Sequence, residues 1–211
     1  MISSTAVYFY LHGFASSPRS AKAQYLDKCF RSVGIELTLP DLNQEDFYHL
    51  TLSRQIRQIE ALMPSDKPVT LIGSSFGGLT AAWLGERNIQ VDRLILLAPA
   101  FQFLAHWMPK LGPEQMQRWQ TEQSLLTYHH GEARMLPIHY DFVTDLAQYD
   151  ETHLQRPLPT LILHGHADEV IPIQASRDFA KQRPWVTLIE LESDHSLGNI
   201  QLQIWQAIQA F

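Results

Sequence analysis

Apolar and polar positions alternate along the chain in blocks that predict strands and helices in turn. Residues 6–11 form a continuous apolar run, which is typical of a strand buried on both faces. Further strands are predicted at 35–39, 69–72, 94–98, 160–163 and 186–191, and helices at 20–33, 47–63, 76–86, 174–181 and 197–211. This alternation predicts βαβ units, and therefore an α/β fold with about six mostly parallel strands and helices on both faces.

One segment, at about residues 101–150, interrupts this alternation. It is rich in aromatic residues, contains internal Pro and Gly, and shows only patches of helical spacing. Its position after a predicted strand favours a small helical lid over the carboxyl edge of the sheet. We therefore predict a single domain over 1–211, with a core of 1–100 and 151–211 and a lid at about 101–150.

The amino-acid composition and the net charge of the chain disfavour several classes of function. The 211 residues are 45% hydrophobic and 18% charged, as in an ordinary folded domain. Twenty-two acidic against 16 basic residues give a net charge of −6, which disfavours nucleic acid as a partner. No apolar run approaches the roughly 20 residues of a membrane span, and residues 1–10 lack the basic start of a signal peptide. A lone cysteine, Cys29, suits a reducing compartment, so we expect a cytoplasmic protein.

Residues 73–77 read G-S-S-F-G and follow an apolar strand. A G-x-S-x-G pentapeptide between a strand and a helix is the nucleophile elbow of serine hydrolases, although glycine–serine clusters also make plain turns. The register selects Ser75 and not Ser74, because only Ser75 has glycine two residues away on both sides. Ser75 is therefore the candidate nucleophile.

A serine nucleophile needs a histidine base and a carboxylate that orients the base. Asp168 follows the fifth predicted strand and His195 the sixth, which matches the order Ser, acid, His of the α/β-hydrolase arrangement. Asp168 alone could instead form an Asx turn or a helix cap. Glu169 is the nearest rival acid, and Asp194 adjoins His195 too closely to reach its ring comfortably. The sequence thus predicts a Ser75–His195–Asp168 triad.

An oxyanion hole needs two amide donors. The amide of Phe76, directly after the nucleophile, is one candidate. The other is the amide of Phe14, in the His12-Gly13-Phe14 loop that follows the first predicted strand. Substrate-binding residues are not identified, but we expect them near His12, Gly13, His164 and the lid.

The stretch 10–23, which reads Y-L-H-G-F-A-S-S-P-R-S-A-K-A, together with G-S-S-F-G-G at 73–78, resembles the small bacterial YqiA-type esterases of the α/β-hydrolase superfamily. The loop around Asp168, with its Asp-Glu-Val core, is similar to theirs as well. The resemblance implies hydrolysis of carboxylic esters through an acyl-enzyme, with thioesters as an alternative. It also implies a small-molecule substrate and no cofactor.

Two other interpretations stay open. The H-x-H-x-D spacing of His164, His166 and Asp168 occurs in metallo-hydrolases, although Glu169 stands where the next histidine would be. We expect no metal, because that interpretation leaves the elbow unexplained. The other alternative, from a different class, is a non-catalytic α/β-hydrolase relative that serves as an interaction module.

Overall fold

A computed structural model describes residues 5–211, so the first four residues of the 1–10 segment considered above lie outside it. The strands are β1 (Val7–Leu11), β2 (Leu37–Thr38), β3 (Val69–Ser74), β4 (Val91–Leu97), β5 (Ser124–His129), β6 (Arg134–His139), β7 (Thr160–Gly165) and β8 (Val186–Leu191). The α-helices are α1 (Ala21–Ser32), α2 (Leu52–Leu62), α3 (Phe76–Arg87), α4 (Phe103–Leu111), α5 (Pro113–Glu122), α6 (Asp141–Leu146), α7 (Ile173–Lys181) and α8 (Gln201–Ala210).

The main sheet has six strands in the order β2-β1-β3-β4-β7-β8, and all of its pairings are parallel. This confirms the predicted α/β architecture. Parallel pairing places the carboxyl ends of β1, β3, β7 and β8 along one edge of the sheet, where the candidate functional loops begin. Within the described residues, no helix is long and apolar enough to cross a bilayer.

Side chains of β1 show how the sheet is buried on both faces. Phe9 and Leu11 belong to one apolar cluster, and Tyr8 and Tyr10 to the other. The first cluster lies against α2 and α3, and the second lies against α1 and α8. The strand is therefore apolar at every position, as its sequence indicates.

Three predicted elements are shorter in the structure. The helix predicted over 47–63 begins only at Leu52, because the Thr51 hydroxyl caps it by accepting the amide of Arg54 at 3.1 Å. The strand predicted at 35–39 pairs only over Leu37–Thr38. The last helix begins at Gln201 and not at Leu197, whose φ of 53° is left-handed and precedes a 3₁₀ turn at Gly198–Ile200.

The segment 101–150, called the insertion from here on, contains more than the predicted helical patches. Besides α4, α5 and α6 it holds an antiparallel hairpin of β5 and β6. Its side chains also enter the core, because Trp119, Ile138 and Phe142 are at most 1% exposed and belong to the cluster that covers β1 and β3. The insertion is packed as an integral part of one face of the domain.

Candidate active site

Ser75 lies at the junction of β3 and α3 with φ 53° and ψ −118°, a conformation that residues other than glycine rarely adopt. Its backbone is held firmly in place. The Ser75 amide donates to the Leu97 carbonyl at 2.9 Å, and its own carbonyl accepts from Gly78 at 2.8 Å and Ala100 at 3.0 Å. These bonds offset the strain and fix the direction of the side chain.

The glycines of the elbow are required by close packing. A Cβ on Gly73 would overlap the backbone of Gly77, and a Cβ on Gly77 would overlap the carbonyl of Leu11 in β1. The G-x-S-x-G pattern therefore lets α3 start close against the ends of β1 and β3.

Ser75, His195 and Asp168 meet above the sheet edge. His195 Nε2 lies 2.9 Å from Ser75 Oγ, and His195 Nδ1 lies 2.7 Å from Asp168 Oδ2. Because a carboxylate accepts hydrogen bonds, Nδ1 carries the hydrogen, and Nε2 is free to accept from the serine hydroxyl. The structure thus brings together the three side chains that the sequence selects from three separate loops.

Asp168 has a fully buried side chain that four donors surround. Oδ1 accepts the amides of Val170 and Ile171 at 2.9 and 2.8 Å, which is the Asx-type turn considered above. Oδ2 accepts from His195 and lies 3.0 Å from His164 Nε2. Burial acts to raise the pKa of Asp168, but these hydrogen bonds outweigh it and hold the pKa well below its usual range.

His164 is the partner of Asp168 that sequence reasoning did not identify. It is completely buried at the end of β7, and its Nδ1 lies 2.7 Å from the Ser176 hydroxyl. Since Nε2 faces the Asp168 carboxylate and the Ile171 carbonyl, Nε2 donates and Nδ1 accepts from Ser176. His164 and His195 therefore both hold Oδ2 of Asp168, and only the position of His164 at a strand end hinted at this role.

The loop after β1 lies directly against the elbow. A Cβ on Gly13 would be 3.3 Å from Ser75 Cβ, so glycine permits the approach. Within residues 5–211, the amides of Phe14 and Phe76 have no hydrogen-bond acceptor. Both candidate oxyanion donors are therefore available.

His12 explains how the Phe14 amide is oriented. His12 Nε2 accepts the Leu42 amide at 2.9 Å, so Nδ1 carries the hydrogen and donates to the Gly13 carbonyl at 2.9 Å. The carbonyl and the N–H of a trans peptide point in opposite directions. Anchoring the Gly13 carbonyl on His12 thus turns the amide of Phe14 away from His12.

A polar cluster that the sequence did not reveal lies behind the candidate nucleophile. Lys22 Nζ donates to Ser74 Oγ at 2.9 Å, and Tyr10 is hydrogen-bonded to the same serine. Burial lowers the pKa of Lys22 to about 8 against the opposing charges of Asp168 and Asp194. Ser74 is thus engaged with Lys22, whereas Ser75 faces His195.

Aromatic rings of the insertion pack over the His12-Gly13-Phe14 loop after β1, called the oxyanion loop from here on. The Phe14 ring contacts Phe103, Trp107 and Phe142 at centroid distances of 5.9, 5.3 and 5.1 Å. The hairpin adds a backbone contact, since the His130 amide donates to the Ala15 carbonyl at 2.7 Å. The loop is therefore held by aromatic packing and by hydrogen bonds together.

The rival site residues lie elsewhere. Glu169 is exposed, and Asp194 accepts from the amide and hydroxyl of Ser196. The two ring nitrogens of His166 lie 3.6 Å from Glu190 and 3.7 Å from Glu192. Across the described part of the chain, no three His, Cys, Asp or Glu side chains are grouped to hold a metal ion.

Comparison with known proteins places this arrangement in a family. The family model of UPF0227, an uncharacterised protein family, matches residues 7–211. The chain belongs to UPF0227. This match confirms the expected YqiA-type family. No protein among those with curated descriptions matches this UPF0227 member significantly.

Solved structures show the same fold at low sequence identity. Mouse α/β-hydrolase domain-containing protein 10 has a TM-score of 0.78 at 20% identity, over 99% of this chain and 89% of its own. Est1E from Butyrivibrio proteoclasticus, with ferulic acid bound, has a TM-score of 0.81 at 18% identity, over 98% and 87%. Polyneuridine aldehyde esterase has a TM-score of 0.67 at 13% identity, over 99% of both chains. The UPF0227 chain thus has the α/β-hydrolase fold.

Proposed function

We propose that this UPF0227 protein hydrolyses carboxylic esters through an acyl-enzyme formed on Ser75. The observation that carries the proposal is the imidazole of His195, which lies between Ser75 Oγ at 2.9 Å and the buried carboxylate of Asp168 at 2.7 Å. A base oriented in this way is what serine needs to become a nucleophile.

In the first half-reaction, Ser75 Oγ attacks the ester carbonyl carbon while His195 Nε2 takes the hydroxyl proton. The amides of Phe14 and Phe76 donate to the resulting oxyanion, and loss of one such donor typically costs about 2.7–4 kcal/mol of barrier. The intermediate collapses as the bond to the leaving oxygen breaks. His195 gives its proton to that oxygen, which leaves as an alcohol.

In the second half-reaction, water attacks the acyl-serine while His195 takes a proton from it. The tetrahedral intermediate collapses, the acid is released and the proton returns to Ser75 Oγ. Asp168 stays ionised throughout and stabilises the imidazolium, which its lowered pKa favours. No cofactor takes part in these steps.

Relatives of the same fold support the choice of esters. Est1E and polyneuridine aldehyde esterase are esterases by name, and Est1E was solved with a carboxylic acid, ferulic acid. Thioesters are attacked by the same chemistry and belong in the substrate panel. The fold alone does not assign a reaction, so the assignment depends on the site.

A fluorophosphonate probe tests the nucleophile, and a substrate panel tests the reaction. We expect the probe to label Ser75 and to leave Ser75→Ala unlabelled, with Ser74→Ala as the matched control that retains labelling. We expect turnover within a panel of p-nitrophenyl esters of graded acyl length and acyl-CoA thioesters. Absence of labelling would contradict the proposed nucleophile and would favour the interaction-module alternative.

A further inference from the structure

The two ends of helix α4 contact two different parts of the candidate site. Near its start, the Phe103 ring lies 5.4 Å from the ring of Phe76, whose amide is a candidate oxyanion donor. Near its end, Lys110 Nζ donates to the carbonyls of Glu169 and Val170 at 2.6 and 3.0 Å, directly after Asp168. The helix therefore runs from the oxyanion side of the site to the loop after β7 that carries Asp168, called the acid loop from here on.

His106 occupies the middle of this span. It follows Phe103 by three residues and precedes Lys110 by four, so the three side chains share one helical face. The His106 side chain is therefore directed at the stretch between the elbow and the acid loop. Asp168 and Lys110 are the charged groups that act on its ring.

One of the two ring nitrogens of His106 is an unsatisfied polar atom within the described residues. Its Nε2 is shielded from solvent and has no hydrogen-bond partner among residues 5–211. A buried polar atom of this kind costs free energy until a group reaches it. Burial, followed by the charge of Lys110, lowers the pKa of His106, so the neutral ring can donate or accept. The residue as a whole is only half-buried, so part of it borders solvent, from which a substrate enters.

The position also decides which half of an ester His106 would meet. His195 must reach the leaving oxygen to protonate it, so the leaving group lies on the side of His195 and Asp168. The acid loop that Lys110 holds is on this same side, and the charge of Asp168 acts on the His106 ring, so the ring lies towards the leaving group. The Phe103 end of the helix faces the oxyanion donors instead.

We propose that His106 Nε2 hydrogen-bonds a hydroxyl on the leaving alcohol, so that the protein prefers esters whose alcohol carries a further hydroxyl over plain alkyl esters. This subsite rests on the proposed ester hydrolysis at Ser75. A site that hydrogen-bonds a substrate hydroxyl rejects the analogue lacking it, because the buried partner then stays unpaired.

Two nearly isosteric substrates test the subsite: 2-hydroxyethyl butyrate and n-propyl butyrate, which differ by a hydroxyl in place of a methyl group. The readout is the ratio of their kcat/KM values in each protein, measured by pH-stat titration. We expect the wild type to prefer the hydroxyethyl ester by about 10- to 100-fold. In His106→Leu the ratio should fall to near unity, and His106→Gln, which keeps a polar group, should retain part of it.

His153→Leu is the control, since it makes the same change at an exposed histidine in the 3₁₀ turn Glu151–His153. Its ratio should equal that of the wild type. Because each ratio is measured within one protein, a lower folded fraction of a variant does not affect it. Equal rates for both esters in the wild type, or an unchanged ratio in His106→Leu, would overturn the subsite alone. Failure of Ser75 to take the fluorophosphonate would overturn the proposed function, and the subsite with it.

Discussion

The sheet edge and the insertion are built by different physical means. At the edge, Ser75, Asp168 and His195 lie on loops after β3, β7 and β8, and hydrogen bonds hold their positions. In the insertion, apolar contacts predominate, and Trp119 and Phe142 are almost completely buried against the core. Directional bonds therefore orient the candidate chemistry, while non-directional packing covers it.

This difference predicts different consequences of substitution in the two regions. A polar side chain at the edge can be exchanged with little change in buried apolar area, so reaction rate should fall while the fold persists. An aromatic ring in the insertion packs against both the oxyanion loop and the core. Its loss should therefore lower the free energy of unfolding before it lowers the reaction rate. Lys110 joins the two regions through its bonds to the acid loop.

The largest effect is expected from the candidate nucleophile and its candidate base. Ser75→Ala and His195→Ala should each lower kcat by about 10⁶-fold, and the double variant should be little slower than either, because the two side chains act as one unit. Rates on a p-nitrophenyl ester and midpoints of urea unfolding, measured on the same samples, check this. Losses that multiply in the double variant would mean that the two residues act separately.

Asp168→Asn should lower kcat by about 10⁴-fold while the protein stays folded. The amide cannot hold His195 in the tautomer that leaves Nε2 free to accept, and this is the loss known for triad carboxylates. Glu169→Gln is the matched control and should keep wild-type turnover, since Glu169 is exposed. The reverse outcome would transfer the role of the acid to Glu169.

Phe142→Ala tests the insertion. The side chain is fully buried and its ring lies 5.1 Å from Phe14 and 5.3 Å from Phe76, so its removal should cost about 3–5 kcal/mol of unfolding free energy. Leu126→Ala, at a residue 61% exposed on the hairpin, should change it by no more than about 0.5 kcal/mol. Equal stability of the two variants would mean that the insertion is a lid separate from the core.

The charge of Lys22 should make stability depend on pH. The ammonium group of Lys22 holds its proton less tightly in the folded chain, where its pKa is about 8, than in the unfolded chain, where it is 10.5. Unfolding therefore takes up a proton between these values, and the free energy of unfolding should rise with pH across this window, by up to about 3 kcal/mol. Lys22→Met should remove this rise in urea unfolding measured at pH 7.5, 9 and 10.5. An equal rise in wild type and variant would assign it to other groups.

The smallest effect is expected where the two regions join. Lys110→Met removes the donor to the Glu169 and Val170 carbonyls, and because the ammonium is exposed the loss should be at most about 1 kcal/mol, or roughly fivefold in kcat/KM. Lys181→Met, at an exposed position of α7, should leave kcat/KM unchanged. A loss above about 100-fold would show that the orientation of the acid loop depends on the insertion.

The strands and the candidate triad could be predicted because local sequence encodes them strongly. Ala6 to Leu11 is apolar at every position, and the glycines around Ser75 follow from a close approach of backbones that only glycine allows. Order along the chain then selected Asp168 and His195, because parallel strands bring their carboxyl ends to one edge. The start of α2 was placed too early, since apolar spacing continued through the turn before its Thr51 cap.

The hairpin and the supporting polar residues could not be predicted in the same way. In β5, Leu125 is buried while Leu126 and Tyr128 are exposed, so apolar character alone did not mark the inner face. Lys22 and Ser74, 52 residues apart, form a pair that only folding creates. Among the described residues, Nε2 of His106 is a buried nitrogen without a hydrogen-bond partner, and the sequence gives no sign of this.

By itself, the sequence determined the parallel α/β sheet, the elbow at Ser75 and the strand-end positions of Asp168 and His195. These depend on backbone sterics, hydrophobic periodicity and the order of segments, all of which are local or topological. Only the tertiary structure decided which side chains orient Asp168, how His12 sets the Phe14 amide, and that the insertion packs into the core. Such contacts join residues distant along the chain, and their energies depend on distances and burial that exist only after folding.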